Sequence, residues 1–182
     1  LTEAWLDTRE GALEAAVRDT LGWALAGLRQ ESGAFSSAQD ADSDGEEGRY
    51  YLWSEGEVKR VLGTDDGLRW ARAHHFSAEG NFEPGHGGEY HDANVSYRLA
   101  GDPHEPSLDA LRARLLAARL TRAAPAIDDK VLPDWNGLML AALARGYAVF
   151  GEAAWLAAAR EQWRFLEANL FAADGALLKS FR

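Results

Sequence analysis

Apolar residues recur along one helical face from Gly11 to Leu28, at Leu13, Val17, Leu21, Leu25 and Leu28. That is the spacing of a helix burying a single stripe. Ahead of it, Leu1–Leu6 has the pattern of the end of an amphipathic helix, and Glu31-Ser-Gly33 closes the long helix. The period then changes. Ala34–Ser37 and Arg49–Trp53 read as two short strands around an acidic, glycine-containing loop, the second strand being rich in aromatic residues. Ser54-Glu-Gly-Glu57 has the form of a capping box, the serine oxygen taking an orphan N–H and the glutamate reaching back to the cap. It predicts a short helix to Leu62, stopped by Gly63, and Thr64 caps another to about Phe76.

Ser77 to Ser107 shows neither period and holds three of the five histidines, so it predicts a long mobile loop. Ser107 then caps Leu108–Arg122, with Pro125 closing it. Asp134 caps Trp135–Phe150, with Gly151 as its stop. Glu152–Leu170 follows at once, carrying Trp155, Ala159, Trp163, Leu166 and Leu170 on one face, and Asp174-Gly175 turns the chain into Ala176–Phe181. No βαβ alternation appears. Antiparallel helical hairpins with a small β-hairpin insert near 34–53, a mainly α fold, fit the pattern.

Composition narrows the class. With 182 residues, 47% of them hydrophobic, the chain can build a core, yet Arg145 interrupts even its longest weakly charged helical run, so no membrane partner is expected. The absence of cysteine excludes a disulfide scaffold, a thiol nucleophile and cysteine-ligated metal. A net charge of −10 argues against nucleic acid, which needs a basic face. The excess is local: residues 31–66 hold ten acids and three bases. The chain opens at Leu1, and its only methionine is Met139, which suggests a piece of a longer protein. The expected location is the cytoplasm.

Three stretches could carry chemistry. In Asp40-Ala-Asp42-Ser-Asp44-Gly45 the acids alternate before a glycine, like the first half of a calcium loop, but Tyr51 stands where that loop needs a bidentate glutamate. A solvated acidic turn, or Asp40 and Asp42 facing a substrate cleft, are the other readings. Asp128-Asp129-Lys130 precedes Asp134-Trp135-Asn136, where paired carboxylates beside an ammonium can have separated pKa values. Trp135 offers a flat face of the kind that stacks on sugar rings, and Asn136 both donates and accepts. The plainer reading makes Asp134 a cap, Asp129–Lys130 a surface pair and Trp135 core. Third, Glu83, His86, Glu89, His91 and Asp92 could be drawn as a zinc site, but their spacings match no metal motif, so neither metal nor cofactor is expected. His74-His75 reads as a helix-end feature. Of the seven tryptophans, Trp53 and Trp135 are those expected to be exposed in a cleft.

Four blocks resemble one family in the same order. They are Gly33–Trp53, Glu79-Gly-Asn-Phe-Glu83, Asp128–Leu143 and Gly175–Arg182, and the family is the YyaL-type, spermatogenesis-associated thioredoxin-domain proteins. The resemblance implies an N-terminal thioredoxin-like domain, absent here, followed by a six-hairpin glycosidase-like α/α-toroid similar to N-acylglucosamine 2-epimerases. This chain would be a fragment, 1–182, of that single toroid domain, with an acidic β-hairpin insert at 33–53 and a mobile loop at 77–107. Pro84–Asn94 is longer and richer in glycine and histidine than the family pattern. None of the five histidines maps onto the acid–base histidines of the epimerases.

The functional expectation is a carbohydrate-binding or carbohydrate-active segment of a larger protein, glycosidase- or epimerase-like if enzymatic and inactive as this segment alone. The catalytic candidates are Asp40, Asp42, Asp128 and Asp129, a carboxylate pair being the minimum for glycoside hydrolysis. The substrate-binding candidates are Trp53, Trp135, Asn136, Tyr51, Lys130 and Glu83. The alternative is a non-catalytic protein-interaction scaffold coupled to a thioredoxin-like domain. Besides a sugar ligand, the expected partner is the rest of the toroid or a second copy, docked on apolar stripes left bare along Leu1–Leu28 and Trp155–Leu170.

Overall fold

A computed structural model of the chain describes residues 1–83, 92–99 and 105–182. Among these lie seven helices: α1 (Thr2–Thr8), α2 (Gly11–Gly27), α3 (Glu55–Leu62), α4 (Thr64–Ala73), α5 (Ser107–Arg119), α6 (Pro133–Phe150) and α7 (Ala153–Asn169). Four two-residue strands accompany them: β1 (Ala38–Gln39), β2 (Asp42–Ser43), β3 (Glu46–Glu47) and β4 (Ile127–Asp128). The fold is mainly α with a small β insert. It divides into two compact units, Leu1–Gln39 with Ile127–Arg182, and Asp40–Ala126.

In the first unit, α6 and α7 pack together and α1 lies against α2. Val17, Leu21 and Ala24 of α2 meet Leu143 of α6 and Trp155, Ala158 and Ala159 of α7 in one apolar cluster that also takes Phe35. Gly146 makes this contact possible: a Cβ there would stand 2.9 Å from the Trp155 ring and 3.1 Å from Leu21. A second cluster joins Ala34, Val131, Leu166 and Leu170. Strands β1 and β4 pair antiparallel, Ala38 opposite Asp128. Val131 bridges Phe181, and Phe171 bridges Leu177 around the Asp174–Gly175 turn. Helix α1 buries none of its residues; Trp5 leans on Phe150 at 4.8 Å and Glu3 pairs with Arg145.

In the second unit, α3, α4 and α5 gather Val58, Leu62, Trp70, Leu108, Leu111 and Leu115 around Trp53. Gly67 lets α4 approach α3, since a Cβ there would lie 2.8 Å from Lys59 Cα. The capping box is present as the sequence predicts, Glu57 N donating to Ser54 Oγ and Ser54 N to Glu57 Oε2.

Several local expectations are corrected. Ala34–Ser37 and Arg49–Trp53 are not strands paired around the acidic loop; the strands lie inside it. Asp42 faces Glu47 and Ser43 faces Glu46 across a two-residue turn, Asp44-Gly45, with φ of 59° and 80°. That is the Asp-Gly turn whose twist matches a tight hairpin. It sends the alternating acids along a hairpin. Thr64 does not cap α4; Gly63 ends α3 and begins α4. Ser107 is the first residue of α5, its hydroxyl taken by Arg69, and α5 stops at Arg119. Asp134 is not the cap of α6. Pro133 takes the first helical position, where its missing N–H is no loss, and Asp134 sits in the first turn beside the positive end of the helix dipole.

Candidate functional site

The first unit holds the Asp128–Asn136 group. Asp128 ends β4, its backbone oxygen accepting from Ser37 N (3.0 Å) and Ser37 Oγ (3.2 Å). Its carboxylate pairs with Lys130 Nζ at 2.9 Å. The Lys130 hydrogen bond holds the Asp128 carboxyl below the usual carboxylate range, against an opposing effect of desolvation. Asp129 points elsewhere, to Arg182 at 2.8 Å. The two adjacent carboxylates thus belong to separate ion pairs. Trp135, on the first turn of α6, is 52% exposed.

Asn136, read from sequence as a substrate contact, is buried and structural. Its Oδ1 accepts from Phe35 N (2.9 Å) and its Nδ2 donates to Phe35 O (2.9 Å) and Leu132 O (3.1 Å). Gln162 Nε2 of α7 donates to the Asn136 carbonyl and to Oδ1. The amide therefore pairs with residue 35 as a neighbouring strand would, and no lobe of it is left for a ligand. Asn94 does the same in the second unit, bonding Ser77 N at 2.9 Å and Ser77 O at 3.2 Å. Asn81 clasps Val95 by both its amide nitrogen (2.8 Å) and its carbonyl (3.1 Å). Two of the family-like blocks, Glu79–Glu83 and Asp128–Leu143, thus contribute clamps that fix loops.

The second unit contains Asp40, Asp42, Tyr51, Trp53 and Glu83. Asp40 Oδ1 accepts from Asp42 N at 3.1 Å, an Asx turn leading into the hairpin. Glu83 is exposed. Tyr51 stands edge-on to Tyr50 at 4.9 Å with the Arg119 guanidinium 5.1 Å from its ring, and desolvation raises its phenol above the ordinary value. Trp53, expected to be exposed, is only 7% accessible. Its backbone bridges Asn94, and the guanidinium of Arg122 lies 3.9 Å from its ring centroid. His74, at the end of α4 as predicted, is buried and stacks on Trp70 at 3.7 Å; burial lowers its pKa, partly offset by the Trp70 carbonyl that faces Nδ1.

A cleft of about 500 Å³ opens in this unit. Leu52, Trp53 and Ala93 give it apolar wall, while Ser43, Ser54, Asp44, Glu57 and Asp92 bring oxygens and Arg49, Arg60 and Arg122 bring guanidinium groups. Arg122 is the organiser. One of its terminal nitrogens donates to the carbonyls of Arg49 (3.1 Å), Tyr50 (3.2 Å) and Leu52 (2.7 Å), and the other lies 3.6 Å from Glu57. Desolvation lowers its pKa, with Glu57 acting in the opposite sense.

Sequence reading missed Glu57, Arg60 and Arg122 as site residues. Glu57 carried only a capping signal, and Arg122 lies some seventy residues from the carbonyls it gathers, a distance no local pattern encodes. Asp40 and Asp42 fall in one unit, Asp128 and Asp129 in the other. Among the described residues no three His, Asp or Glu side chains are placed to hold a metal ion. His86, Glu89 and His91 of the drawn zinc site lie outside the described residues, and Asp92 lines the cleft. Among the described residues no helix is long and apolar enough to cross a membrane.

No protein-family model matches the chain. Three curated proteins, each named spermatogenesis-associated protein 20, are similar to it. The Rattus norvegicus and Mus musculus proteins are each 30% identical over 206 residues, and the Homo sapiens protein is 30% identical over 208. These matches cover 97 to 98% of this chain but 25% of each relative, so the chain spans about a quarter of the length of the proteins it resembles. The chain is thus similar to one region of spermatogenesis-associated protein 20.

Proposed function

We propose that the chain supplies a carbohydrate-binding site and that the cleft of the second unit is that site. One observation carries the reading: carboxylates, guanidinium groups and two serine hydroxyls share a single concavity with a tryptophan. A sugar presents hydroxyls that both donate and accept, so it satisfies such a lining without needing net charge. The volume of about 500 Å³ is that of a small-molecule cleft, typically roughly 300–1,000 Å³. The toroid of the family resemblance belongs to the same proposal.

Binding is the assignment here. Glycoside hydrolysis needs a carboxyl kept protonated as general acid. Asp128, one of the catalytic candidates, is held toward the ionised form, which suits the base or nucleophile of such a pair and not its acid. Screening the chain on a glycan array, followed by calorimetry on the hits, tests the reading. Asp92→Asn and Arg60→Ala should each weaken binding about ten-fold, and Asp128→Asn should leave it unchanged. Hits that depend on Asp128 and ignore Asp92 and Arg60 would move the site out of the cleft.

A further inference from the structure

Helices α6 and α7 leave a second concavity, of about 410 Å³, on the first unit. Leu140 and Ala159 line it together with Arg160, Trp163 and Arg164. Trp163 is 46% exposed, and both arginines are exposed with no ion pair or hydrogen bond of their side chains among the described residues. Arginine pairs one turn apart repel, and a bare indole between them is an apolar surface left in water. Elsewhere in this unit Arg18 holds Glu14 and Glu152, Arg145 holds Glu3 and Arg182 holds Asp129, while Arg9 lies over the Trp5 ring. On a chain of net charge −10, these two guanidinium groups flank an exposed tryptophan beside an open apolar groove.

We infer that this groove docks an acidic amphipathic helix of a partner protein, one apolar side chain seated against Trp163 and Leu140 between two carboxylates that meet Arg160 and Arg164. The spacing selects the shape of the ligand. Side chains four apart on a helix have Cβ atoms roughly 5–6 Å apart, so a helix laid along α7 presents carboxylates at the interval of the two arginines. Charge selects against a second copy meeting this face symmetrically, because such a dimer would set Arg160 and Arg164 against their own counterparts. Arginine suits the contact because its planar fork receives a carboxylate through two hydrogen bonds.

The test uses the full chain and two labelled synthetic helices, one with glutamates four apart around a leucine and one with lysines in their place. Fluorescence anisotropy should show the acidic helix binding and the basic helix failing. Affinity should fall on raising salt from about 50 to 500 mM, as screening requires. Arg160→Glu with Arg164→Glu should weaken the acidic helix at least ten-fold and confer binding of the basic one. Trp163→Ala should weaken the acidic helix without reversing the charge preference. All three side chains are exposed, so circular dichroism should report unchanged folding; if Trp163→Ala does not fold, the charge reversal decides by itself. Equal binding of both peptides to the unmodified chain, or charge reversal without effect, would overturn the inference. So would a dimer in sedimentation that dissociates on Trp163→Ala.

Discussion

Asn136 shows how much one side chain can hold in place. Its amide satisfies the N–H and C=O of Phe35, donates to the Leu132 carbonyl and accepts from Gln162, the bonds to Phe35 and Gln162 being buried. Replacing it with alanine strands buried backbone groups, each costing about 1–3 kcal/mol. Asn136→Ala should therefore destabilise the chain by about 3 kcal/mol in urea unfolding, whereas Asp134→Ala, at an exposed neighbouring position, should cost under about 0.5 kcal/mol. Asp128 offers a second test. Lys130→Met removes the partner that lowers its pKa, so carboxyl titration followed by NMR should show the Asp128 value rising toward the ordinary one. His74 gives a third. Burial lowers its folded pKa below the unfolded value near 6.5, so between these values the unfolded chain binds more protons. The stabilisation from neutral His74 is complete above about pH 6.5 and falls as pH drops through that window. The pH dependence of urea unfolding between about pH 5 and 7.5 should flatten in His74→Phe.

Elements in this chain depend on their ends and on their closest approaches. Helix α3 has eight residues, too few to persist in water alone, and its capping box ties both Ser54 and Glu57 to backbone. Ser54→Ala should cost about 1 kcal/mol of stability. Gly146 is the reverse case, a helix-interior glycine whose intrinsic cost is outweighed because a methyl group would collide with Trp155 and Leu21. Gly146→Ala should raise helix propensity and still destabilise, by about 1–3 kcal/mol, through overpacking of α6 on α2 and α7. A thermal melt in which Gly146→Ala gains stability would show that these helices can separate without loss. The hairpin β2–β3 illustrates a local signal that admits two readings. Asp-Gly with alternating acids fits both an ion loop and a tight turn, and the backbone adopts the turn.

On the scale of the molecule, two cores organise the chain, one around Leu143 and Trp155, the other around Val58 and Trp70. Leu143 and Val58 are both fully enclosed. Leu143→Ala should cost about 2–5 kcal/mol, and hydrogen exchange should locate the loss in Leu1–Gln39 and Ile127–Arg182, with amides of Asp40–Ala126 keeping more of their protection. Helix existence, the α3 capping box, the Gly151 stop, the Asp174–Gly175 turn and the mainly α class were legible along the sequence. Each rests on contacts within a few residues, where period and cap chemistry act directly. The likeness to spermatogenesis-associated protein 20 was legible too. Tertiary structure alone decided the roles of the long-range groups. Asn136 and Phe35 are 101 positions apart, Arg122 and Leu52 are 70 apart, and Gln30 reaches Asp129 across 99. A side chain's chemistry is local, but whether it serves a ligand or a distant peptide group depends on which backbone the fold leaves unsatisfied beside it. That is why Asn136 and Trp53 read as exposed contacts in sequence and lie buried, while Arg122, a residue beyond the end of a helix, anchors the cleft.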